Sequence, residues 1–74
     1  MIQCRLRELM AIRSRETREK ITYDRILAET GISKSTLAKI ANDKAQFISI
    51  SALNQMCSYF NCQPGDLFIY IEQS

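Results

Sequence analysis

The chain has 74 residues, 46% of them apolar, a formal net charge of +2, two glycines, one proline and no histidine. That supports one small core and leaves no room for a catalytic domain beside a binding domain, while the low glycine and proline content argues against disorder. Without histidine or carboxylates clustered at helical spacing, the usual general-base and metal-site chemistries lack parts, so an enzyme is not expected.

The charges are unevenly placed. All ten Lys and Arg residues lie between positions 5 and 44 beside six acids, so residues 1–44 carry +4 and residues 45–74 carry −2. A basic half next to an acidic half is the asymmetry expected when one face meets phosphate. No run of 18 apolar residues occurs, and MIQCRLRELM lacks the basic-then-apolar order of a secretory signal. The expected location is cytoplasmic, with no membrane partner. Cys4, Cys57 and Cys62 form an odd set without a C-x-x-C pair. Neither a disulfide framework nor a zinc site is expected, nor any other metal or cofactor; the thiols read as small buried apolar groups.

In chain order, Ile2 and Cys4 share a side if residues 1–4 are extended. Leu6, Leu9 and Met10 then take helical spacing, which predicts a first helix over about 5–15. The charged stretch RSRETREK (13–20) has two readings. It extends that helix, with Glu16 and Lys20 as a favourable i,i+4 pair, or it is a solvated connector. Arg13, Arg15 and Arg18 are phosphate candidates on one view and solubilising groups on the other.

The next three helix starts share one pattern: an apolar residue, a hydroxyl cap, then an apolar residue at the fourth helical position. It reads Ile21–Thr22–Ile26, Ile32–Ser33–Leu37 and Ile48–Ser49–Leu53. A second helix is predicted over about 22–30, with Ile26 and Leu27 inward and Tyr23 partly so. Gly31 stops it, since glycine takes the left-handed conformation of a helix C-terminus without strain. Ser33 opens a third helix that ends near Asn42 and Asp43. A fourth runs over about 50–60 with Ile50, Leu53, Met56, Cys57 and Phe60 as its apolar stripe. Asn61 ends it, and Pro64 opens a short fifth helix. Leu67 and Phe68 close the core. The run Phe68–Ile71 favours a strand pairing antiparallel with residues 1–4. It would otherwise offer an edge to a second copy or pack along the first helix.

The stretch TYDRILAETGISKSTLAKIANDK (22–44) is therefore two capped helices joined by a tight glycine turn, the layout of a helix-turn-helix. At 100° per residue, Leu37, Ile40 and Ala41 face the core. Ser35, Lys39 and Asn42 lie opposite, flanked by Lys34 and Thr36. Short hydroxyls, an amide and lysines suit base edges and phosphates in a DNA major groove. The plainer alternative is the solvated outer face of any small helical domain.

With these residues in place, ITYDRILAETGISKSTLAKI and ISISALNQMCSYFNCQPGDLF resemble the Cro/phage-repressor (Xre) type of helix-turn-helix regulators, in particular small standalone Cro-like proteins. The resemblance implies an all-α, five-helix, lambda-repressor-like domain over 1–74, its helix-turn-helix at about 22–42. It implies an operator-binding repressor that reads double-stranded DNA as a homodimer, with no small-molecule ligand expected. Carried over by position, Lys34, Ser35, Thr36 and Lys39 are the base-reading candidates. Thr22, Tyr23, Ser33, Asn42 and Lys44 are the backbone-contact candidates. The chain departs from the pattern where Tyr23 replaces a frequent glutamine, Leu27 a small alanine, Ala41 a glutamate and Asp43 a glycine. The connector 13–20 is also longer than usual. A second function class, an antitoxin-like protein-interaction module, is motivated by the apolar tail Phe68–Ile71; native mass measurement discriminates between the two.

Overall fold

The computed structural model describes residues 1–72. In order these form β1 (Ile2–Cys4), α1 (Leu6–Thr17), α2 (Tyr23–Thr30), α3 (Lys34–Ala41), α4 (Ile50–Phe60), α5 (Pro64–Leu67) and β2 (Phe68–Tyr70). The five helices and the paired ends match the expected architecture. β1 and β2 run antiparallel with Ile2 opposite Tyr70, Gln3 opposite Ile69 and Cys4 opposite Phe68. The pairing continues past both ends: Arg5 N–H donates to Leu67 O at 2.7 Å, and Ile71 N–H to Met1 O at 2.7 Å.

The three predicted caps form. Thr22 Oγ1 accepts from Arg25 N at 3.3 Å, Ser33 Oγ from Thr36 N at 3.2 Å, and Ser49 Oγ from Ala52 N at 3.0 Å. Each satisfies one of the N–H groups a helix start leaves free. Gly31 closes α2 at φ 77, its N–H bonded to Leu27 O at 2.8 Å. Asn61 closes α4 in the same left-handed region, at φ 52. The residues before the caps, Ile21 and Ile32, are buried as staples require.

One fully buried residue from each helix meets at the centre: Leu6, Ile26, Leu37, Met56 and Leu67, each at 0% exposure, with Ile40 beside them. An α3 of only eight residues is too short to persist alone, so this shared core is what holds it.

Two inward assignments are corrected. Leu27 is 37% exposed and Ile50 is 79% exposed. Leu27 lies about 100° round the helix from Ile26, and Ile50 about 120° round from Met56, so each falls off the buried stripe. The cysteines are half-buried rather than buried. The connector takes the helical reading only in part. α1 runs to Thr17, Arg18 turns left-handed at φ 59, and the Glu16–Lys20 pair loses its helical spacing. Arg13 leans back over the Tyr59 ring, 4.5 Å from its centroid. Ser14 Oγ accepts from Ile21 N at 2.9 Å and so fixes the approach to α2.

Candidate nucleic-acid interface

α2, the turn at Gly31–Ser33 and α3 place a contiguous set of polar groups on one surface. Lys34, Ser35, Thr36 and Lys39, the four base-reading candidates, are all exposed. The reason is the pattern of α3 itself: Leu37, Ile40 and Ala41 are drawn into the core, which turns the opposite side outward.

The exposed groups are not equally free. Lys34 Nζ lies 3.0 Å from Asp24 Oδ1 of α2, an ion pair with both side chains more than half exposed. Thr36 Oγ1 accepts from Ser33 Oγ at 2.8 Å, which leaves the Thr36 hydroxyl proton available. Among the described residues, Lys39 and Lys44 enter no ion pair. Lys44 N–H donates to Lys39 O at 2.8 Å, so the first residue after the turn is held against the end of α3. Thr36, Lys39 and Lys44 line one cleft of about 380 Å³ with Ala45, Gln46 and Phe47.

The backbone-contact candidates divide. Ser33 and Lys44 are exposed, while Thr22 and Tyr23 are half-buried, Tyr23 packing against the core. Asn42 is engaged within the protein. Its Nδ2 donates to Ala38 O at 2.8 Å and its Oδ1 accepts from Arg7 of α1. Asp43, named in the sequence as the end of the third helix and as standing where the family often has glycine, takes φ 58, and its Oδ1 accepts from Cys4 N of β1 at 2.8 Å. Gln46 and Phe47 escaped sequence reasoning because a short loop has no periodicity to orient its side chains. An aromatic in a polar loop was the one signal they gave.

The titration shifts lie mostly off this face. Burial pushes the Cys4 thiol up, helped by the nearby Asp43 carboxylate against the opposing backbone hydrogen bond at Leu6. Burial, then the neighbouring Cys57 thiol, push Cys62 up. Glu19, hydrogen-bonded to Arg25 at the start of α2, raises that guanidinium and keeps it charged. Among the described residues, no three His, Cys, Asp or Glu side chains gather to hold a metal ion, and no helix is long and apolar enough to cross a membrane.

A capped helix, a glycine turn and a second capped helix presenting exposed lysines and hydroxyls define a helix-turn-helix DNA-binding domain. The chain belongs to the Cro/C1-type HTH DNA-binding domain family, whose profile matches residues 5–73. It is similar to an uncharacterized HTH-type transcriptional regulator, YozG, of Bacillus subtilis (strain 168), at 32% identity over 53 residues. That match takes in 72% of this chain and 63% of the relative's length.

Proposed function

We propose that the protein is a sequence-specific transcriptional regulator, acting as a repressor by seating α3 in the major groove of an operator. The observation that carries this is the outward side of α3, where Lys39, Ser35 and Thr36 stand exposed opposite the buried Leu37, Ile40 and Ala41. Lys39 and Lys34 suit the O6 and N7 acceptors of guanine, and the two hydroxyls suit either a donor or an acceptor. Ser33, Lys44, Thr22 and Tyr23 then bear on phosphates at the two ends of the helix-turn-helix. Asn42 serves indirectly, by anchoring the end of α3 to Arg7. Reading by Lys34 exchanges its bond to Asp24 for one to DNA.

Each good base contact contributes about 1–3 kcal/mol of discrimination, so one small reading face falls short of tight specific binding. A homodimer reading half-sites about 34 Å apart supplies the remainder. Ile2 and Tyr70, opposite each other on the terminal strands and 59% and 72% exposed, support a second copy as their cover. The same apolar pair motivates the second reading, a module that holds a different protein.

Selection from random duplexes at two salt concentrations tests the proposal. Enrichment of a palindromic motif supports specific dimeric reading and gives the half-site spacing. Binding with a steep salt slope and no motif reduces the role to backbone contact. Absence of binding at both salts refutes it in favour of the protein-interaction reading.

A further inference from the structure

Phe47 is the most exposed large apolar side chain among the described residues, at 89%. It lies in the loop between α3 and α4 and borders two clefts. One, of about 280 Å³, is walled by apolar groups including Ile2, Ile40, Ile48 and Phe68. The ring nevertheless stays out in solvent rather than filling that space. The other is the cleft shared with Thr36, Lys39 and Lys44, whose lining holds no carboxylate and two cations that enter no ion pair among the described residues. An apolar ring beside two lysines matches the alternation along a DNA strand, where charged phosphates are separated by apolar sugar faces and, at thymines, by methyl groups.

We propose that Phe47 is a DNA-contacting residue, its ring packing on the apolar surface of one strand while Lys39 and Lys44 flank it. The inference rests on the DNA-binding reading above and extends the interface from α3 to the following loop. Lys44 N–H bonded to Lys39 O fixes the start of that loop against the reading helix, so helix and loop reach the strand together. The ring surface satisfied in this way is apolar, so its contribution does not depend on counterion release. That property separates Phe47 from its lysine neighbours.

The test uses the full chain and the duplex enriched by selection, comparing the unmodified protein with Phe47→Ala and Lys44→Ala over a salt series. Phe47→Ala is expected to weaken binding by about tenfold with the salt slope and the unfolding temperature unchanged. Lys44→Ala is expected to lower the slope by about one. Replacing each thymine of the half-site with deoxyuridine then locates the contact. Loss at one position in the unmodified protein, absent in Phe47→Ala, identifies a methyl group; no sensitive position identifies a sugar face. Two results overturn the proposal: Phe47→Ala binding as tightly as the unmodified protein, or weakening together with a lowered unfolding temperature. If the unmodified protein binds no duplex at all, the DNA-binding reading itself has failed and this inference falls with it.

Discussion

Substituting Asp43 with asparagine, glycine and alanine in turn separates a hydrogen bond from a backbone preference just past the end of α3. Asp43 sits at φ 58 and its Oδ1 accepts from Cys4 N at 2.8 Å. The bond is exposed, so its net value is about 1 kcal/mol, below the range for buried charged acceptors. The left-handed backbone costs an ordinary side chain about 1–2 kcal/mol, aspartate and asparagine less, and glycine nothing. Asp43→Asn keeps both an acceptor oxygen and the tolerance, and is expected to stay within about 0.5 kcal/mol of the parent. Asp43→Gly loses the bond but relieves the backbone, so the two changes offset to within about 0.5 kcal/mol. Asp43→Ala loses the bond and adds strain, for about 2 kcal/mol in all. At about 4–8 °C per kcal/mol in a domain of this size, alanine lowers the unfolding temperature by about 8–16 °C. Thermal unfolding followed by circular dichroism at 222 nm reads the series. Equal losses for glycine and alanine would remove the backbone from the explanation. An asparagine variant as unstable as alanine would mean that the Cys4 bond needs a carboxylate rather than any acceptor.

Four further outcomes are expected. Lys39→Ala lowers specific DNA affinity by about 1–3 kcal/mol and relaxes preference at one base position, with unfolding unchanged; unchanged affinity and preference in selection would remove Lys39 from the reading face. Asp24→Asn moves stability by less than about 0.5 kcal/mol, because its pair with Lys34 is largely solvated, but tightens DNA binding by freeing Lys34 and removing a charge near phosphate. Weaker binding by that variant would show that Asp24 positions Lys34 rather than competing for it. Met56→Ala, at the 0% exposed centre, costs about 2–5 kcal/mol and removes most of the cooperative transition in urea. The raised Cys4 and Cys62 thiols are more protonated near pH 8 than a free cysteine, so alkylation followed by mass spectrometry proceeds slowly there. Their stabilising contribution is complete below the ordinary thiol range and disappears as pH rises through their raised folded values; alkylation at the free-peptide rate at pH 8 would contradict this.

What the sequence revealed best was local. The caps Thr22, Ser33 and Ser49 act within three residues, so their side-chain chemistry decides the outcome before any tertiary contact forms. The pairing of the termini was also legible, because Ile2–Cys4 and Phe68–Tyr70 share an extended pattern. Apolar periodicity located the helices but not the edges of their buried stripes, which is why Leu27 and Ile50 lie outside the core. Contacts between distant segments left no local trace. Arg13 over Tyr59, Arg7 on Asn42 and Cys4 on Asp43 each join residues more than thirty positions apart. The outward side of α3 was readable for the same reason as its inward side, since one stripe fixes the other.

Those distant contacts, with the local cap, explain how so short a helix as α3 is held. At the N-terminal end of α3, Ser33 caps the backbone and Asp24 holds Lys34. At the C-terminal end, α1 reaches Asn42 through Arg7, and β1 reaches Asp43 through the Cys4 N–H. β1 is itself paired with β2, so both terminal strands bear on the end of α3. Among the base-reading candidates, these clamps engage only the Lys34 side chain and, through Ser33 Oγ, the Thr36 hydroxyl oxygen. Among the described residues, the Ser35 and Lys39 side chains enter none of these bonds, while the backbone that carries them is fixed from two sides. On the proposed reading, DNA binding then immobilises only exposed side chains, each at about 0.5–1.5 kcal/mol, rather than a whole segment. An interface of few contacts needs that saving more than a large one does.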